Sequence, residues 1–213
     1  ITISGGEPMI NPDLTEFLNL CGKNNFSVNL LSNLTLLSDE ILRVLVANPL
    51  ISVQTSLYSM NEDTHDSITG LQGSFKKTIQ AIRLLHRHNI PIQINCPIMK
   101  QNKDDYSDVM TWAQSMNIEA DSDYMLFGCY DCSKKNLKCR LSLSEVEAVV
   151  TSQCESGAYV DKLFTEASNK RLDENQPICS VCSASICTSN QGNVYPCEGW
   201  QGYLVYGHNS WRS

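Results

Sequence analysis

Strand-like and helix-like patterns alternate five times between Ile1 and Phe127, and this alternation limits the fold more than any other feature of the chain. Strand patterns cover 1–3, 26–33, 50–58, 90–99 and 120–127. Between them, helical stripes run through Leu14, Phe17, Leu18 and Cys21, then Ile41, Leu42, Leu45 and Val46. Two more follow at Ile79, Ile82 and Leu85, and at Val109, Trp112, Ala113 and Met116. Strands joined by helices form a parallel sheet with right-handed crossovers. Ligands of such sheets bind beyond the C-terminal strand ends, which brings Gly5, Gly6, Ser32, Asn33 and Ser56 to one rim.

Local signals mark the boundaries. Asn11-Pro12 reads as a cap with proline at the first helical position, and Gly22 lies near the stop. Ser38 and Ser74 read as caps of the second and third helices, and Pro97 as the end of a strand. The stretch 59–73 reads as a polar loop in which His65-Asp66 serves as a capping pair rather than an acid–base pair. Ser142 with Glu145 forms a capping box that opens a helix to Cys154, and a short helix is expected over 159–168.

The first strand runs directly into Gly5-Gly6-Glu7-Pro8. Glycine has no Cβ, so a ligand can approach this backbone closely, and Pro8 stiffens the exit. The strand-end carbonyls and the Glu7 carboxylate make an acceptor-rich rim suited to an ammonium group. The plainer reading is an ordinary strand-to-helix turn.

That turn is followed by Leu31-Ser32-Asn33, 54–58 (Gln-Thr-Ser-Leu-Tyr), 65–70 (His-Asp-Ser-Ile-Thr-Gly) and Gly73-Ser74-Phe75. The series resembles the radical S-adenosylmethionine enzymes, within them the peptide-modifying branch that carries a cysteine-rich C-terminal extension, the SPASM domain. The resemblance implies a partial (β/α)6-type, TIM-like barrel whose first βα unit would precede Ile1, followed by a small cysteine-rich domain. It gives Gly5, Gly6, Glu7 and Pro8 the methionyl end of S-adenosylmethionine and Ser32 and Asn33 its ribose, with Ser56 on the same rim. The C-x3-C-x2-C loop that holds the family's catalytic [4Fe-4S] cluster would also lie upstream. The chain is therefore expected to be part of a longer protein and silent in catalysis by itself, with no catalytic residue assigned.

Ten cysteines are many for 213 residues, and long helical patterns argue against a secreted disulfide framework. Cys179, Cys182, Cys187 and Cys197 fall within nineteen residues, a spacing that suits zinc or an iron–sulfur cluster. The resemblance makes Cys182 and Cys197 ligands of an auxiliary [4Fe-4S] cluster, with Cys179 and Cys187 as further ligands or bystanders. It also reads 206–211 as the lead-in to a truncated SPASM segment. A domain boundary is expected near residue 170, giving a barrel over 1–170 and a cysteine-rich domain over 171–213. Cys21 and Cys96 read as buried structural thiols, and Cys129, Cys132 and Cys139 as free ones.

A formal charge of −7 disfavours nucleic acid or an anionic membrane as the main partner, and no apolar run reaches spanning length. With the resemblance, the reading is a peptide or protein maturase that receives electrons from a flavodoxin or ferredoxin in an anaerobic cytoplasm. Sulfatase-maturing relatives commonly carry arginine where Thr69 stands, which moves the expectation toward ribosomal-peptide maturases. The alternatives are a zinc-stabilised peptide-binding protein and a radical enzyme acting on a small molecule.

Overall fold

The computed structural model describes residues 1–128, 133–155 and 185–197. Cys129, Cys132, Cys179, Cys182, the helix expected over 159–168, the boundary near 170 and the 206–211 lead-in lie outside them.

Five strands, β1 (Thr2–Ile3), β2 (Val28–Leu31), β3 (Leu50–Ser56), β4 (Ile92–Pro97) and β5 (Glu119–Asp123), form one all-parallel sheet in sequence order. Helices α1 (Leu14–Lys23), α2 (Asp39–Ala47), α3 (Glu62–Thr69), α4 (Ser74–Arg87) and α5 (Tyr106–Ser115) make the connections. The α/β, partial-barrel expectation holds. Every strand end carrying a site residue therefore opens toward the same side.

The two faces of the sheet differ in chemistry. Val28, Leu30, Val53, Ile92, Ile94 and Cys96 are buried under the helices, against Leu18, Leu45, Ile82 and Leu85. Each fully buried aliphatic side chain contributes roughly 1.5–3 kcal/mol. The alternate residues, Asn29, Ser52, Gln54, Gln93 and Asn95, are polar and only partly buried, and the first four pair across strands. Ser52 Oγ donates to Asn29 Oδ1 at 2.7 Å and Gln54 Nε2 to Gln93 Oε1 at 2.8 Å. Strands of parallel sheets are normally apolar on both faces. Here the period-two alternation makes the inner face a polar wall.

Several boundaries differ from the sequence reading. The stretch 59–73 contains helix α3, with Asn61 as its N-cap and Gly70 in the left-handed conformation behind it (φ 69°). The start and stop signals are present, but the helix is short and polar, so no apolar stripe announces it. Ser74 does not cap α4; Gly73 is the cap residue, and the capping carboxylate comes from Asp66. Helix α1 begins at Leu14, because Pro8–Ile10 form a 3-10 turn and Asn11 Oδ1 is used to accept from Asp13 N. Phe17 and Val46 point outward, 42% and 51% exposed. Cys21 and Cys96 are buried, as expected, and burial pushes the Cys96 thiol up to about 12.

Helix α6 (Leu143–Glu155) opens with the reciprocal box expected of Ser142 and Glu145. Ser142 N donates to Glu145 Oε2 at 2.8 Å, and Glu145 N returns a bond to Ser142 Oγ at 3.4 Å. The described residues fall into two units: 1–128 with 133–149, and a second containing 150–155 and 185–197. Among its described residues is a hairpin of β6 (Cys187–Thr188) and β7 (Val194–Tyr195), with Cys187 opposite Tyr195. Gly192 supplies the left-handed turn residue (φ 78°).

Candidate functional site

An open cavity of roughly 510 Å³ lies at the C-terminal ends of β1–β4, walled by Gly5, Gly6, Ser32, Asn33, Ser56 and Asn95 among others. A Cβ added at Gly5 or Gly6 would meet nothing within 4 Å, so the wall is open backbone. Gly5 also has φ 141°, a conformation that side chains rarely adopt.

Five of the seven residues singled out for S-adenosylmethionine thus line one cavity. Pro8 does not line it. It is buried at the start of the 3-10 turn. Glu7 turns beneath the rim and ties the ends of β1 and β2 together. Its Oε1 accepts from Ser32 Oγ at 2.7 Å and from Met9 N at 3.0 Å, while Oε2 accepts from Asn33 N at 2.8 Å. The Ser32 hydroxyl therefore spends its proton on Glu7. Its oxygen accepts from Leu34 N at 3.0 Å, beside the left-handed Leu34 (φ 63°).

Asn33 is arranged differently. Its Oδ1 accepts from Thr35 N at 2.9 Å and Thr35 Oγ1 at 2.7 Å, which fixes the amide orientation and leaves Nδ2 as a donor at the exposed rim. The turn role and the ligand role of Ser32-Asn33 are thus compatible. Gln54, Ser56 and Tyr58 all line the cavity, as their alternation along β3 implies.

The far wall comes from helices α3 and α4. His65 is 1% exposed, its ring 5.6 Å from those of both Tyr58 and Phe75. Asp66 Oδ1 accepts from Ser74 Oγ at 2.8 Å and from Phe75 N at 2.9 Å, and Gly73 N donates to Oδ2 at 2.5 Å. The Phe75 amide, Gly73 amide and Ser74 hydroxyl, with the His65 charge, outweigh partial desolvation and hold the Asp66 carboxyl near 2.

Because the Ser74 proton goes to that carboxylate, Ser74 Oγ can only accept from His65 Nδ1, 3.2 Å away. This arrangement suits the Nδ1–H form of the imidazole. Its Nε2 is buried and has no partner among the described residues. Burial disfavours the imidazolium more than Asp66 favours it, so the His65 pKa is lowered. Thr69 Oγ1 lies 2.7 Å from Ser74 Oγ in the same network. His65, Ile68, Thr69, Leu71, Ser74 and Thr78 were missed as cavity-lining residues because they depend on α3 folding back against α4.

Of the four expected metal ligands, Cys187 and Cys197 are described, and both are partly buried. No group of three or more His, Cys, Asp or Glu among the described residues is arranged to hold a metal ion. The other two proposed ligands lie outside those residues, so the four-cysteine set remains an expectation.

Residues 1–113 match the Radical SAM superfamily profile. The AdoMet-dependent heme synthase of Methanosarcina barkeri is 31% identical over 120 residues, covering 56% of this chain and 34% of that protein. The antilisterial bacteriocin subtilosin biosynthesis protein AlbA of Bacillus subtilis is 32% identical over 119 residues, or 55% and 27% of the two chains. Crystal structures of Streptococcus suis SuiB bound to S-adenosylmethionine and to precursor peptide SuiA superpose with TM-scores of 0.70 and 0.67, at 13% and 14% identity. They cover 100% of this chain and 52% of SuiB, and at that identity they show the shared fold. The chain spans about a third or less of these curated relatives and about half of SuiB. A profile match over more than half of the 213 residues, on a parallel sheet with a glycine-walled cavity at its strand ends, means that the chain belongs to the radical SAM superfamily.

Proposed function

We propose that this chain is the S-adenosylmethionine-holding core of a peptide or protein maturase. The observation that carries the reading is the glycine-walled cavity, whose lining among the described residues contains no Lys, Arg, Asp or Glu. The residues present fit the cofactor. Backbone at Gly5 and Gly6 leaves room for the methionyl end, and the nearby strand-end carbonyls accept from its ammonium group. Asn33 Nδ2 donates to the ribose, with Ser56 Oγ within the same wall. Glu7, through Ser32 and Asn33, keeps the two strand ends in register, so that its role is positioning.

When bound, S-adenosylmethionine and a reduced [4Fe-4S] cluster held by residues outside this chain would supply the radical chemistry that takes a hydrogen atom from the substrate. This chain orients the nucleotide, while the cofactors do the bond breaking. Cys179, Cys182, Cys187 and Cys197 are proposed ligands of an auxiliary [4Fe-4S] cluster, and a flavodoxin or ferredoxin the electron source. The peptide class is supported by similarity to a bacteriocin biosynthesis protein and by the fold shared with SuiB, a structure of which holds precursor peptide SuiA. A small-molecule substrate is the second reading, favoured by the match to the heme synthase.

Calorimetric titration with S-adenosylmethionine tests the core claim. Saturable binding by the chain, lost in Gly6→Leu, is expected, and no binding sinks the reading. The full-length protein, reconstituted anaerobically, should form 5′-deoxyadenosine under dithionite, and this chain alone should form none. Iron with sulfide after reconstitution supports the cluster ligands. Stoichiometric zinc without iron supports a peptide-binding protein instead.

A further inference from the structure

In a chain of formal charge −7, one short segment runs against the balance. Lys134, Lys135, Lys138 and Arg140 fall within seven residues and are all exposed. None forms an ion pair among the described residues. Three bonds fasten the segment to the loops leaving β4 and β5. Lys100 N donates to Cys139 O at 3.0 Å, Gln101 Nε2 to Cys139 Sγ at 3.2 Å, and Asn136 Nδ2 to Phe127 O at 2.6 Å.

These loops follow the C-terminal strand ends, the side on which the cavity opens. The acids beside the segment are mostly engaged. Asp104 pairs with Lys103 at 3.0 Å, and Glu145 caps α6 through Ser142 with Lys103 at 4.0 Å. Asp123 remains exposed at the end of β5, where its Oδ1 accepts from Met125 N.

Apolar groups flank the cations. Met125 is 60%, Phe127 74% and Leu143 89% exposed. A cluster of exposed cations with no ion pair among the described residues, beside exposed Phe, Met and Leu side chains, complements a chain that alternates carboxylates with apolar residues. We propose that this ridge docks an acidic, leucine-bearing segment of the peptide substrate, away from the reacting residue. The inference rests on the peptide-maturase reading. Nucleic acid fits less well, because a long polyanion would be repelled by the rest of an acidic surface and would leave the apolar side chains unmatched.

The test is fluorescence anisotropy with the chain and three fluorescein-labelled probes: a Glu/Leu-rich peptide, its Lys/Leu-rich counterpart and a single-stranded oligodeoxynucleotide. The Glu/Leu peptide should bind, more weakly at high salt. K134E/K135E/K138E should lower its affinity about tenfold, while K134Q/K135Q/K138Q and Phe127→Ala lower it by a few fold. All three variants should keep the wild-type melting temperature and S-adenosylmethionine affinity. The inference is overturned if the Glu/Leu peptide fails to bind, binds the charge-reversed variant equally, or is outcompeted by the Lys/Leu peptide or the oligonucleotide. No probe solution contains S-adenosylmethionine, so failure of the docking surface and failure of the cofactor reading give separate results.

Discussion

Asp66 accepts a hydrogen bond from the backbone N–H of Phe75 at 2.9 Å, so the first turn of α4 is capped by a residue in the middle of α3. The same carboxylate takes the Gly73 amide and the Ser74 hydroxyl. One side chain thereby sets the angle between two helices and, through Ser74, the tautomer of His65 in the cavity wall.

Asp66 should make the fold acid-sensitive at low pH. Its folded pKa of about 2 lies below the ordinary 3.8. The unfolded chain therefore binds the proton more readily, and this stabilisation is present above pH 4 and lost as pH falls toward 2. Asp66→Asn should lower the melting temperature at pH 7 and flatten its dependence between those values. An unchanged melting curve across that range would contradict the capping role.

His65 acts in the same direction at higher pH. Burial lowers its pKa below 6.5, so the unfolded state again binds more protons and stability falls as pH drops below that value. His65→Gln should remove the part of the loss that sets in between neutrality and pH 5, measured by chemical denaturation at several pH values. NMR of the labelled ring should show Nδ1 protonated at neutral pH.

Ser56 and Asn102 should separate ligand binding from stability. Ser56 lines the cavity and is partly buried, so Ser56→Ala should weaken S-adenosylmethionine binding by about 0.5–1.5 kcal/mol with little change in melting. Asn102 is 1% exposed. It donates to Tyr58 O at 2.6 Å and Pro97 O at 3.0 Å, and accepts from Met99 N at 2.7 Å. Asn102→Leu should cost at least about 2 kcal/mol in denaturant unfolding, because buried backbone groups lose their partners.

Cys96 should be inert to alkylation. Its thiol is 0% exposed and pushed up to about 12 by burial, and then by the charge of Asp105, so almost no thiolate exists at pH 8. Mass spectrometry after iodoacetamide treatment should find it unmodified in the native chain and modified in guanidinium. Native labelling would show that the β4 core is looser than its packing indicates.

The order and direction of the strands follow from local periodicity, and so does the glycine turn: each depends on neighbours within a few residues. The same holds for the Ser142–Glu145 box, whose two side chains need only one helical turn to meet. Helix α3 was missed because its only buried side chain among the helix residues is His65, which leaves no apolar stripe to read. The cavity wall it supplies, the reach of Asp66 to the next helix and the Glu7 bridge between the ends of β1 and β2 join residues that only folding makes adjacent. Sequence thus determined which strand ends face the ligand. The tertiary structure decided which of their side chains keep a free hydrogen-bonding group, because that depends on what each has already bonded to.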